Sequence, residues 1–206
     1  MTAQSWAATS DAFEQAAHWF VRTAARGDGR WDSPALDQWT VRDLVGHTSR
    51  ALLTVETYLG HDATGVDVQT PEDYFRRALT SVGDPAAVAQ RGRDAGAALG
   101  PHPADSVAEI ATRVLATVRV AAEDDLVATP VGGMRLVDYL PTRTFELTVH
   151  TCDLAAALDE PLEVPAAAAA ASIHLLGGLA AGGGQAGPLL LAATGRTPLP
   201  TGFTVL

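Results

Sequence analysis

The stretch Arg143-Thr144-Phe145-Glu146-Leu147-Thr148-Val149-His150-Thr151-Cys152-Asp153-Leu154-Ala155 decides how the rest of the chain is read. It holds no Gly or Pro, and its apolar residues recur at helical intervals. That pattern predicts the centre of a long helix over roughly 135–158, kinked or restarted at Pro141. At about 100° per residue, Tyr139, Arg143, Glu146, His150 and Asp153 fall within roughly 60° of one line along the helix. Phe145, Val149, Cys152 and Ala156 flank this polar stripe on one side, and Leu147, Leu154 and Leu158 on the other. Thr144, Thr148, Thr151, Ala155 and Asp159 take the opposite face, which the pattern assigns to solvent. The charged stripe is thereby turned inward.

An inward stripe is costly. A buried carboxylate and imidazole lose several kcal/mol of solvation unless paired, hydrogen-bonded or bound to metal. Glu146 stands four residues before His150, so both side chains share a helical face at a spacing suited to two ligands of one ion. The same residues also fit an internal Arg143–Glu146–His150–Asp153 polar network, or a core histidine satisfied by its neighbours. A third donor comes from a second helix, where His47 stands one turn after Leu44 and one turn before Ala51, at the edge of an apolar stripe. Alone, His47 reads equally as a core-edge histidine bonded to a carbonyl. Together, His47, Glu146 and His150 make a two-histidine, one-carboxylate set with positions left for water or substrate. Zn²⁺ is the default ion, and Fe²⁺, Ni²⁺ or Mn²⁺ would accept the same ligands.

Working outward, the remaining punctuation predicts further helices. One opens at Asp11, carries Phe13, Ala16, Ala17, Phe20 and Val21, and closes at Arg26-Gly27. A loop with Trp31, Pro34 and Trp39 follows, in which either tryptophan is placed to wall a pocket. Thr40 caps the helix that holds His47, with Asp43 as its box partner. Thr70-Pro71 starts another helix, Asp84-Pro85 restarts or bends the chain, and Gly100-Pro101 stops it. Ser106 with Glu109 opens a further helix, and residues 126–133 read as a loop. Beyond Pro161 and Pro165 come an Ala-rich helix, the loop Gly182-Gly183-Gly184, a short apolar helix ending at Gly195-Arg196, and a terminal strand at Phe203–Leu206. The fold class is all-α in the main: a four-helix bundle over residues 1–160, with a short helical extension over 161–206 packing on it.

Composition narrows the function classes. The 206 residues carry 24 acidic and 14 basic side chains, every basic one arginine, for a net charge of −10. Such a surface repels phosphate backbones and anionic lipids, so neither nucleic acid nor membrane is an expected partner. The longest apolar run, Pro165 to Ala181, is mostly Ala and is a poor membrane span. No basic n-region and apolar stretch opens the sequence, so a cytoplasmic location is expected. Cys152 is the one cysteine and cannot form an internal disulfide. Its direction, away from Glu146 and His150, assigns it to packing. His18, His61, His102 and His174 lack a second ligand at useful spacing. Neither a phosphate-loop lysine, a nucleophile elbow nor a CxxC pair is present.

Two motifs are familiar. Trp39-Thr40-Val41-Arg42-Asp43-Leu44-Val45-Gly46-His47 resembles the W-T-V-x-D-L-V-x-H signature of the mycothiol-dependent maleylpyruvate isomerase N-terminal family, and residues 143–155 resemble its R-x-x-E-x-x-V-H-x-x-D-L-A segment. The resemblance covers about residues 8–160. It implies a DinB-like metal-binding four-helix bundle in which His47, Glu146 and His150 ligate a divalent ion and Asp153 works beside it. It further implies that the ion activates the sulfur of a low-molecular-weight thiol, mycothiol, for isomerisation of an unsaturated diacid or transfer of the thiol to a small electrophile. Mycothiol belongs to actinobacteria, whose GC-rich coding suits an arginine-only basic set. On this reading Asp153 acts as general base or orients a ligand, and Arg143 receives a substrate carboxylate or pairs with Glu146 or Asp153. The isomerase itself has a longer C-terminal domain that contributes an arginine. Only about forty residues follow the bundle here, and Arg196 reads either as the local counterpart or as a surface arginine at a helix end. Alternatives on the same scaffold are a hydrolase using metal-bound water and a non-catalytic, metal-binding or dimerising bundle; either a monomer or a homodimer is compatible.

Overall fold

A computed structural model describes residues 5–81 and 85–206. The first helix, α1 (Trp6–Ala24), starts earlier than Asp11 because Ser5 caps it, its hydroxyl accepting from Ala8 N–H at 3.3 Å. Phe13, Ala16, Ala17 and Phe20 form its buried stripe, and a 3₁₀ turn at Ala25–Gly27 ends it. A two-stranded hairpin, β1 (Pro34–Leu36) with β2 (Trp39–Thr40), replaces the expected loop and leads into α2 (Val41–Leu59). The capping box forms: Thr40 Oγ1 accepts from Asp43 N–H at 3.2 Å, and the Asp43 carboxylate accepts from Thr40 N–H at 3.0 Å.

Helices α3 (Pro71–Ser81) and α4 (Pro85–Ala98) follow; of the expected break at Asp84-Pro85, Asp84 lies outside the described residues. Helix α5 (Pro103–Val120) begins before Ser106, whose hydroxyl donates to the Leu99 carbonyl at 2.8 Å and ties the helix to the preceding turn. The expected loop at 126–133 is instead a second antiparallel hairpin, β3 (Leu126–Thr129) with β4 (Gly132–Arg135), in the register Leu126↔Arg135 to Thr129↔Gly132. Gly132 turns the chain at φ +124, which few L residues adopt. Helix α6 (Leu136–Ala157) runs unbroken through Pro141, which stands just past the first turn and leaves the Val137 carbonyl without its i+4 donor. The Arg30 guanidinium donates to the Ala157 and Leu158 carbonyls at 3.0 and 2.8 Å, satisfying the far end. Helices α7 (Ala166–Gly182) and α8 (Ala186–Ala193) complete the chain; Phe203–Leu206 forms no strand.

Helices α1, α6, α2 and α5 make a ring of four, each touching the two beside it, so the fold is the mainly helical bundle expected. Helix α4 packs against α2, α3 against α6, and α7 along α1 and α6. Phe13, Phe20, Leu44, Leu52, Leu140 and Leu147 are among its fully buried side chains. Among the described residues no helix is long and apolar enough to cross a membrane.

One expectation fails instructively. The threonine face of α6 is buried, not solvated: Thr144, Thr148 and Thr151 are 1%, 5% and 0% exposed. Thr144 Oγ1 donates to the Leu140 carbonyl at 3.1 Å and Thr148 Oγ1 to the Thr144 carbonyl at 2.7 Å. With their hydroxyls bonded inside the helix, Thr144 and Thr148 present methyl groups to their neighbours and behave as apolar ones, whereas the Thr151 hydroxyl is buried with no partner among the described residues. Solvent instead meets Val149 and Ala156.

The approach of α4 to α2 is set by glycines. A Cβ at Gly46 would strike the backbone of Gly96, and one at Gly96 would lie 2.8 Å from the Arg42 carbonyl oxygen. Gly46→Ala is therefore expected to destabilise the protein by about 1–3 kcal/mol, read from the urea midpoint. Gly177, inside α7 with open space around its Cβ, gives the opposite expectation. Gly177→Ala should stabilise by about 0.5–1 kcal/mol.

Candidate metal centre

Two helices build the site. The capping box fixes where α2 begins, and the second turn of α2 carries His47. Trp39, immediately before the cap, tilts its ring over the His47 imidazole with centroids 4.5 Å apart at 35°, while its indole N–H donates to the Ala89 carbonyl of α4 at 3.0 Å. Gly92 makes room for that indole. From α6 come Glu146, His150 and Asp153. The His47 and His150 rings meet edge to face at 4.8 Å, and one ligand atom from each of His47, Glu146 and His150 can be chosen so that all lie within 4.8 Å of one another.

Hydrogen bonding orients His150. Its Nδ1 stands 3.1 Å from the Asp153 carboxylate and its Nε2 3.3 Å from the Glu146 carboxylate. An Nδ1–H donated to Asp153 leaves Nε2 as the atom aimed at the cluster. His47 Nδ1 is buried with no hydrogen-bond partner among the described residues. A buried, unpartnered imidazole nitrogen beside a carboxylate and a second imidazole is a donor set suited to a borderline divalent ion, so these residues fit a metal.

The electrostatics agree. Burial, with the charge of His150, pushes His47 down to about 4, so its imidazole is neutral at physiological pH. Burial also opposes charge on His150, but hydrogen bonds to Asp153 and Glu146 outweigh it and raise that group to about 9. For Glu146 burial favours the neutral acid, yet the hydrogen bond to His150 and the field of Arg143 hold it down at about 2.

The cluster opens into a cavity of about 360 Å³. Arg143 lines it, 8% exposed, with its guanidinium carbon 5.3 and 5.1 Å from the Tyr74 and Tyr139 ring centroids and its Nε–H donating to Thr142 Oγ1 at 2.9 Å. It forms no ion pair with Glu146 or Asp153, although sequence spacing allowed one. Arg196 is exposed beyond α8 and is not among the cavity's lining residues. Cys152 is half-buried, its thiol pushed up by burial and the nearby Asp153. The other histidines stay outside: His18 pairs with Glu14 and His61 bonds the Thr57 carbonyl. Spacing did not draw attention to Arg50, Tyr58, Arg91 or the β3–β4 turn at Pro130 and Val131, all of which line the cavity. Arg50 was legible, three residues after His47 on the same helical face; Arg91 was not, because nothing in α4 marks which helix it will meet.

The family model described as the mycothiol maleylpyruvate isomerase N-terminal domain matches residues 3–155. That span runs from α1 through most of α6 and contains His47, Glu146, His150 and Asp153. No curated protein and no solved structure matches the chain.

Two outcomes are expected at this centre. Purified protein should take up about one divalent ion per chain, and His47→Ala or His150→Ala should abolish it, while Asp153→Asn weakens affinity by roughly 10–100-fold. At pH 7.5 uptake should release about one proton, from His150 and none from His47, which is already neutral. Between about pH 5 and 8 affinity should therefore fall roughly tenfold per unit of acidification. Calorimetry in buffers of differing ionisation enthalpy reads the proton count.

Proposed function

Because this chain belongs to the mycothiol maleylpyruvate isomerase N-terminal domain family, we propose that it is a divalent-metal-dependent enzyme using a low-molecular-weight thiol, mycothiol, as cofactor or co-substrate. The reaction is thiol transfer to a small electrophile, or an isomerisation that begins with the same attack. The observation that carries this reading is the convergence of the His47, Glu146 and His150 ligand atoms, within 4.8 Å of one another, in the wall of an open cavity.

His47, Glu146 and His150 would hold the ion. When bound, it supplies the positive charge that lets a thiol lose its proton near neutral pH. The chain's own residues do the rest. Asp153 accepts the Nδ1–H of His150 and so acts through that imidazole, as a positioning residue. Trp39 covers one face of His47 and keeps water from it. Arg143 keeps a fixed positive charge in the cavity wall against Tyr74 and Tyr139. Cys152 is held in its thiol form and supplies no nucleophile. Arg196, exposed beyond α8 and outside the cavity lining, is assigned no role in this reading.

In the test, metal-loaded protein is melted with and without mycothiol, and thiol consumption is followed with a panel of small electrophiles. Mycothiol should raise Tm, the shift should vanish in chelator-treated protein, and His47→Ala should lose turnover. Cys152→Ser should retain it. Stoichiometric metal with no response to any thiol, together with thiol-independent ester or amide cleavage, would replace this reading by a hydrolase.

A further inference from the structure

Three arginines from three different helices line the cavity: Arg50 of α2, Arg91 of α4 and Arg143 of α6. Glu146 is the one acidic residue lining it among those described, and its carboxylate is already engaged by His150. The arginines elsewhere that face a carboxylate are paired with it, as Arg113 is with Glu56 at 2.8 Å and Arg135 with Asp138 at 2.7 Å. Arg50, Arg91 and Arg143 are not. No hydrogen bond engages the side chain of Arg50 or Arg91, and the terminal nitrogens of Arg143 have no acceptor, among the described residues.

Position sharpens the point. Arg143 is nine-tenths buried, Arg50 half-buried and Arg91 exposed, so the three form a graded path from rim to floor. Tyr74 and Tyr139 offset part of the cost of burying the Arg143 charge, but an aromatic face is a weaker counterpart than an anion. The surroundings are otherwise acidic, since the chain carries a net charge of −10. A positive cavity in an acidic molecule concentrates small anions there. Guanidinium forks match the planar, two-oxygen geometry of a carboxylate.

From this convergence we infer that Arg50 and Arg91 are specificity-determining residues which, with Arg143, make the cavity select an electrophilic co-substrate that bears a carboxylate. The inference rests on the proposed thiol chemistry only for the word electrophilic; the anion receptor stands without it. Arg91 at the rim meets the carboxylate first, and Arg50 and Arg143 hold it beside Glu146 and His150.

The receptor is tested with succinate as probe and uncharged succinamide as control, by calorimetry on the full chain after chelation, so that no metal and no thiol take part. Succinate should bind and succinamide should not. Arg50→Gln and Arg91→Gln, both at solvent-accessible positions and expected to melt like wild type, should each weaken succinate by roughly tenfold, and the affinity of wild type should fall with added salt. Equal binding of succinate and succinamide, or succinate affinity unchanged in both variants, overturns the inference while leaving any mycothiol response of the loaded protein intact. In the loaded enzyme the same variants should raise KM for a carboxylate-bearing electrophile and leave KM for the thiol unchanged. A rise in the thiol KM alone would place Arg50 and Arg91 at the thiol and overturn the specificity claim. Loss of the mycothiol response with succinate binding preserved would sink the thiol reading and spare the receptor.

Discussion

Everything at the centre of this molecule follows from the cost of turning charged side chains into a helix bundle. Glu146 and His150 sit between helices where an unpaired carboxylate or imidazolium would lose most of its hydration. They persist because each is engaged: His150 lies between Asp153 and Glu146, at 3.1 and 3.3 Å, and Glu146 feels both His150 and Arg143. His47 differs. Its Nδ1 is buried with nothing to bond among the described residues, and its imidazole is pushed toward the neutral, lone-pair-bearing form. One imidazole held charged and its neighbour held neutral describe a set balanced for exchanging a proton against a cation.

Packing away from the site supports that balance. The glycine contact between α2 and α4 brings the Ala89 carbonyl within reach of the Trp39 indole, and that hydrogen bond holds the ring over His47. The same close approach delivers Arg91 to the cavity rim. Two small residues thus govern a shield, a ligand orientation and a surface charge at once. On the far side, the β3–β4 hairpin presents Pro130 and Val131 to the cavity, and it is docked by Asp67, whose carboxylate accepts from Gly133 N–H at 2.9 Å.

How much of this could be read from the residues depends on the range of the cause. Relations within one helix were legible, because 3.6-residue geometry fixes them: Glu146 with His150, His150 with Asp153, Thr40 with Asp43. Hairpins were not, since β1–β2 and β3–β4 are only two to four residues per strand and carry no alternation long enough to register. The threonine face of α6 misled for a different reason. Hydropathy ranks threonine as mildly polar, whereas a threonine that bonds its own helix has no polarity left to show a neighbour. Arg143 was grouped correctly with Tyr139 in the stripe on α6, but its other tyrosine neighbour, Tyr74 on α3, could not be seen from that stripe alone.

Two sets of arginines in this chain contrast. Arg113 and Arg119 reach across the surface to Glu56 and Glu14, where water screens them and their contribution to stability is small. Arg50, Arg91 and Arg143 line a concavity whose one carboxylate among the described residues is already engaged by His150, so none of the three is paired with an anion. A chain with an excess of acidic groups had the means to neutralise them and does not. No carboxylate partner repays the placing of Arg50 and Arg91 there, and an anion entering the cavity gains attraction from all three. The charge pattern that is unfavourable to the fold is the one that favours a ligand, which is the physical signature expected of a binding site.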